Sequence, residues 1–370
     1  MMQNNMREAY VALSLDETAL TFYYDNLRDN RHGATWGIDE TKQDAYKYDS
    51  FDKTSPAWAG TLQEKNNTIT RVIFDASFKD FRPTTTVKWF YNLNSLKTIE
   101  GWEYFNTSEV TDMRRMFQAC ELLTEIDLTH FDTSKVTDMA GMFSHCSALK
   151  TIDLSNFDTS KVVDMGGMFY YCTSLKTLNL SHFNTSAVAM MRNMFTNCTA
   201  LKALDLSNFD TSGVTTMEEM FCDCSALKTL NISNFDTSKV TTMREMFSGC
   251  SSLKTLDLSH FNTSRVAIMR SMFSRCLALT ALDISHFDTS CVEVMGGMFT
   301  ECSSLSTLDV AHFDTSKVVD MGWMFSRCSA LTELDVSKFD TAKVTEMDHL
   351  FWGCEALTTL DISHFDTSNV

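Results

Sequence analysis

Residues 147–172 read SALKTIDLSNFDTSKVVDMGGMFYYC, and residues 173–198 read TSLKTLNLSHFNTSAVAMMRNMFTNC. The second stretch repeats the first in phase and in residue type. The Phe of F-[DN]-T-[SA] falls at 105, 131, 157, 183, 209, 235, 261, 287, 313, 339 and 365, always 26 apart. A second Phe, from Phe117 to Phe351, keeps the same step, as does a Cys from Cys120 to Cys354. A fixed period without insertions marks each copy as one coil of a solenoid, because a unit this small cannot bury its apolar face alone.

Two periodicities alternate inside each copy. In Leu149-x-x-Ile152-x-Leu154-x-x-Phe157 the period of two at Ile152 and Leu154 predicts a short strand with one buried face. Val136, Met139, Met142, Phe143 and Cys146 fall on one stripe at helical spacing and predict a short helix. The Asp-Thr-Ser before each stripe supplies oxygens that close a turn or cap that helix. The expected fold class is an α/β repeat solenoid, a leucine-rich-repeat-like right-handed coil with one short parallel strand and one short helix per 26-residue repeat.

Residues 1–67 are expected to form a small β cap, with AYVALS and TALTFYY as a hairpin around Leu15-Asp16-Glu17 and residues 28–66 as loop. Residues 68–104 read as two degenerate repeats, and 105–370 as the regular solenoid. The chain stops at Val370 inside a motif that continued in every earlier copy. The expectation is therefore a truncated C-terminus and self-association through an uncapped end. The start, MMQNNMREAY, shows no basic patch followed by an apolar run, so no signal peptide is read there. No apolar stretch reaches 18 residues, so no membrane span is expected.

The unit L-x-x-L-x-L-x-x-F resembles the leucine-rich repeat. The fuller unit LDLSNFDTSKVxDMxxMFxxCxxL resembles BspA-like leucine-rich-repeat surface proteins of the Bacteroidales type, and the related repeat of Mycoplasma-type lipoproteins. The resemblance covers about residues 90–370. AYVALSLDETALTFYYD and RPTTTVKWFYNLNSLKTIEGWEYFNTSEVTDM also look like the N-terminal portion of such proteins. It implies a bacterial cell-surface or secreted protein used in adhesion, with a host matrix or microbial surface protein as partner. The alternative is an intracellular or effector-type scaffold for one protein partner, which the lack of a visible signal peptide favours.

Net charge is −17. The first hundred residues hold 14 acids and 12 bases and the rest 34 and 19, so the acidity lies in the repeats. Such a surface repels phosphate backbones, which argues against nucleic acid. The repeat cysteines read as a buried apolar ladder, with Cys222 and Cys291 outside it and exposed. An outward column of acids includes Asp153, Asp205, Asp257, Asp283, Asp309 and Asp335. Stacked at strand spacing, these carboxylates are expected to raise one another's pKa. A third column interchanges His130, His182, His260, His286, His312 and His364 with Asn156, Asn208 and Asn234, which suggests a turn hydrogen bond that suits both. Tyr170, Tyr171, Trp323 and Trp352 stand where other copies carry small or polar residues. With the six named aspartates they are the candidate ligand contacts. No nucleophile constellation, phosphate loop or metal motif is read, so no enzyme, cofactor or metal is expected.

Overall fold

The computed structural model describes residues 6–44 and 53–370. The N-terminal residues read for a signal peptide, and part of the expected 1–67 cap, lie partly outside them. The chain divides into two compact units, Met1–Val162 with Met168–Leu175, and Val163–Gly167 with Lys176–Val370.

In the first unit β1 (Glu8–Leu13) and β2 (Ala19–Asp25) form an antiparallel hairpin. Ser14 and Asp16 close its turn through their side-chain oxygens. β3 (Thr35–Gly37) lies on the outer side of β1. β2 then runs parallel to β6 (Arg71–Phe74), and β6 parallel to β7 (Thr98–Glu100), giving the order β3-β1-β2-β6-β7. The hairpin thus covers the backbone edge of the first degenerate coil, as a solenoid end requires. The stretch expected as loop is more ordered, since β4 (Thr41–Gln43) and β5 (Thr54–Pro56) pair within it. Phe22, Phe74, Phe78, Trp89 and Phe90 pack beneath the sheet as an aromatic core. At its edge the fully buried Lys88 ammonium donates to Asp44 Oδ2 at 2.9 Å and to the Thr54 carbonyl at 3.0 Å. Asp44 also accepts from Ser55 Oγ and Leu62 N–H, so this buried charge is paired and hydrogen-bonded.

Both units contain regular coils, and one correction applies to both. Among the described residues there is no α-helix. The stripe expected to be helical is buried as expected, with Val240, Met243, Met246, Phe247 and Cys250 all fully covered. Its backbone is instead a run of tight turns. Each coil carries two residues in the left-handed region four apart, for example Glu219 (φ 54°) and Asp223 (φ 54°) in the second unit, or Gly141 and His145 in the first. A right-handed helix cannot pass through that conformation.

The amides divide between two sets of acceptors. Met220, Cys222 and Cys224 donate three residues back, to Met217, Glu219 and Phe221. Glu219, Phe221 and Asp223 donate to the next coil, to Arg244, Met246 and Ser248. A left-handed residue at the third position of a three-back hydrogen-bonded turn is the type II signature. The turn side therefore forms the intercoil ladder, marked by one parallel bridge per coil at Met190, Thr216, Thr242, Ile268, Val294, Asp320 and Glu346. Regular strand pairing on the other side of this unit is confined, among the described residues, to β8 (Ala203–Asp205) and β9 (Thr229–Asn231).

Three further ladders hold the second unit together. Phe221, Phe247 and Phe273 stack with centroids 5.7 Å apart and planes within 8°. The ladder thiols from Cys224 to Cys354 each donate to a Phe carbonyl of the preceding coil, as Cys250 does to Phe221 at 3.2 Å. Each buried Thr of the F-[DN]-T motif is clasped by the next coil. Thr237 Oγ1 donates to the Asn262 carbonyl at 2.9 Å and accepts the Asn262 N–H at 2.7 Å.

Candidate functional site

Two outward surfaces of the second unit carry most of the candidate contacts, and Asp153, Tyr170 and Tyr171 lie in the first unit. On the strand side, each acidic residue of the column ends its strand segment by accepting the amide two residues on. Asp205 accepts from Ser207, Asp257 from Ser259, Asp283 from Ser285, Asp309 from Ala311 and Asp335 from Ser337, at 2.9–3.1 Å. In the first unit Asp153 accepts from Ser155 in the same way. This is the Asx turn, which Asn completes equally well, and it explains Asn179 and Asn231 in the column.

At Asp205, Asp257, Asp283 and Asp335 the expectation that stacked carboxylates raise one another's pKa is overturned. The Ser285 hydroxyl and amide pull Asp283 below its usual value, the Ser337 hydroxyl and amide do so for Asp335, and the Ser259 amide and hydroxyl for Asp257. A hydrogen bond made only to the ionised oxygen outweighs repulsion between exposed neighbours in water. Asp283, Asp309, Asp335 and Asp361 border an open groove of about 1030 Å³ floored by Leu282, Leu308 and Leu334. The lysine column of Lys202, Lys228 and Lys254 gives way beside this groove to Thr280, Ser306, Thr332 and Thr358, so the acids there face no lysine of that column.

On the turn side, Trp323 and Trp352 are 40% and 49% exposed. Trp323 stacks on His349 at 4.0 Å and 13°, and Trp352 stands edge-on to both rings. The Arg327 guanidinium lies 4.6 Å over the Trp352 ring and pairs with Glu301 at 2.9 Å. The first unit holds a smaller counterpart, in which Tyr171 stacks on His145 at 4.8 Å with Tyr170 against both. Both Tyr170 and Tyr171 are half-buried. The structure thus brings Trp323 together with Trp352 and Tyr170 with Tyr171, and places the aspartates on the opposite side of the coil.

The remaining columns are structural. Asn156 and Asn208 each donate from Nδ2 to two carbonyls of the preceding coil, while His286 Nε2 reaches Leu258 O at 2.9 Å and His364 Nε2 reaches Val336 O at 3.1 Å. These residues do share one bond, made to the coil before rather than within their own turn, whereas His260 Nδ1 lies 3.1 Å from Ser259 Oγ. Cys222 is a correction, because it is buried rather than exposed, and Cys291 is half-buried. Burial pushes the Cys276 thiol up to about 12, which suppresses thiolate chemistry in the ladder. The sequence reading missed the Lys88–Asp44 pair and the paired Trp323–His349 rings. For the second, the only signal was the 26-residue spacing of two residues that each break the repeat.

The family described as "Mycoplasma protein of unknown function, DUF285" matches residues 84–204, 190–305 and 276–370. The chain belongs to this family. The resemblance to BspA-like repeat proteins and to the Mycoplasma-type repeat is thereby borne out. No curated protein matches the chain by sequence. Among solved structures it is similar to a leucine-rich-repeat protein from Bacteroides ovatus, at 15% identity over 95% of this chain and 92% of that one, with a TM-score of 0.40. A leucine-rich-repeat protein from Eubacterium ventriosum matches at 15% identity over 99% and 98%, with a TM-score of 0.32. A leucine-rich cell surface protein from Faecalibacterium prausnitzii matches at 19% identity over 80% and 92%, with a TM-score of 0.29. Among the described residues, no helix is long and apolar enough to cross a membrane.

Proposed function

We propose that this chain is a non-enzymatic protein-interaction scaffold displayed on a bacterial surface, adhesin-like in role. In this reading residues 1–67 cap the repeats, 68–104 are worn repeats and 105–370 present the binding faces. The observation that carries it is the half-exposed Trp323–Trp352 pair, fixed to a rigid backbone ladder. Large aromatics held in place lose little entropy on contact, and they are the residue type that anchors protein interfaces. Tyr170 and Tyr171 extend the same logic in the first unit, and the aspartate column offers a charged face for specificity rather than affinity. Membership of the repeat family supports the scaffold, and the likeness in sequence to surface proteins motivates the location.

The test is protease treatment of intact source cells with detection of the chain. The expected result is its loss alongside a known surface protein. Protection of the chain while the control is shaved would overturn the surface location. Trp323→Ala or Trp352→Ala is expected to weaken attachment to host matrix or other bacteria without changing the melting temperature.

A further inference from the structure

We infer that the Trp323–His349–Trp352 corner receives a cationic side chain, a guanidinium or ammonium group carried on a basic stretch of a partner protein. This rests on reading the turn side as a contact surface, and it adds the chemistry of what is contacted. Four observations carry it.

Trp323 sits at a turn position that other copies fill with Gly141, Glu219, Ser271 or Gly297, all in the same left-handed conformation. Its indole is therefore an exception to the repeat in size rather than in backbone, and it stays 40% exposed, as an interface anchor must. The rings form a corner with two directions of approach, because the Trp323–His349 stack and Trp352 meet at 75–87°. The Asp348 carboxylate borders it, 3.2 Å from His349 Nδ1 and 58% exposed. It lies against Gly322, where a Cβ would come within 2.7 Å of Asp348 Oδ1, so the absent side chain leaves room for the carboxylate beside Trp323. The fourth observation is a worked example within the site. Arg327 already places its guanidinium on the Trp352 ring while answering Glu301. An indole face plus a carboxylate is thus a pairing that this surface makes with a cation.

Charge selects the occupant. The chain carries −17, so a second copy of itself is repelled, whereas a basic segment is drawn in. The carboxylates beside the rings then fix where it docks.

The probe is a dye-labelled peptide alternating arginine and glycine, titrated with the full chain and read by anisotropy near physiological salt. A twin peptide carries citrulline, which keeps the arginine shape and removes its charge. The arginine peptide is expected to bind at least about tenfold more tightly than its twin. Trp323→Ala and Trp352→Ala are each expected to weaken it about fivefold, within the range of a partly desolvated cation–π contact. Both substitutions leave the net charge unchanged, so long-range attraction cannot account for such a loss. Asp348→Asn is expected to weaken it about threefold.

Equal binding of the two peptides, or unchanged binding in both Trp variants, overturns the inference. If a neutral oligosaccharide binds and is lost in the same Trp variants while the arginine peptide is indifferent, the contact surface stands and the cation assignment fails. If the arginine peptide behaves as stated but intact cells protect the chain, the surface location fails and this inference stands.

Discussion

The two sides of a coil in the second unit differ in a way that reverses the expectation from sequence. The side with the strand pattern, L-x-x-L-x-L, makes regular strand pairs only at β8 and β9 among the described residues. The side with the helix pattern carries a backbone ladder from coil to coil. The stacked Phe rings and the Cys thiols sit under that ladder, fully buried. The middle residue of a strand segment, such as Leu256 at 9% or the groove-lining Leu334 at 9%, keeps a margin exposed. Hydrogen bonds and core packing thus coincide on the turn side, and that is where the exposed tryptophans are mounted. A contact built there rests on the stiffer side of the coil.

The largest test of that contrast removes one core residue from each side. Phe247→Ala deletes a fully buried ring that stacks on both neighbours, and is expected to cost about 3–5 kcal/mol. Leu256→Ala, on the strand side of the next copy, is expected to cost about 2 kcal/mol because part of its surface already meets water. Denaturant titration of the two variants measures the difference. Equal losses would erase the distinction between the sides.

Next in size is the threonine clasp. Thr237→Val keeps the volume but leaves the Asn262 N–H and C=O without their buried partner, at about 1–3 kcal/mol. Thr237→Ser keeps the hydroxyl and is expected to recover most of that loss. Hydrogen exchange at the Asn262 amide reads the clasp directly, since that amide donates to Thr237 Oγ1. An Asn262 amide that exchanges no faster in the valine variant would show that the clasp is dispensable.

A smaller effect is expected at the turn itself. Gly249 has φ 71°, and a Cβ there would stand 2.2 Å from Asp223 Oδ1. Gly249→Ala is expected to lower stability by about 1–2 kcal/mol through the left-handed backbone alone. Pairing it with Asp223→Ala removes the clash and separates the two causes. Full recovery in the double variant would mean that the steric contact, and not the backbone, sets the requirement.

How much of this was legible follows from the same positions. The repeat phase, the buried stripe, the Cys ladder and the His/Asn exchange all follow from what a side chain buries or donates, and the sequence records side chains. Whether Val-x-x-Met-x-x-Met-Phe is helix or tandem turns depends on φ, and spacing at three and four residues suits both. Glycine would have betrayed the turns, but only some coils use it. Glu219, Ser271 and Trp323 hold the same conformation without announcing it. A ladder of hydrogen bonds to the next coil over-determines each position, so residue preference is overridden. The candidate contacts were legible only as exceptions to the repeat. That Trp323 and His349 meet required knowing that one coil rises by about the thickness of an aromatic stack.

The smallest effect concerns acid. Asp236, Asp288 and Asp314 open the turn side of their coils, and Asp257, Asp283 and Asp335 end the strand side. All six lie below the ordinary carboxylate value, held there by the amide and hydroxyl of the Ser two residues on. A group whose pKa is depressed on folding contributes stability that is complete above its unfolded value, about pH 4. That contribution fades as pH falls through the lower folded value. The contribution of these six carboxylates is therefore expected to be flat from neutrality to about pH 4 and to decline below it. Asn makes the same turn without a titrating group, as Asn179, Asn231 and Asn262 already do. Replacing either trio, Asp236, Asp288 and Asp314 or the strand-side three, with Asn should flatten the acid decline, because each carboxylate contributes through its own Ser. Thermal melts at successive pH values compare the two triple variants. An acid decline left unchanged by both would mean that these turns contribute nothing to the loss of stability in acid.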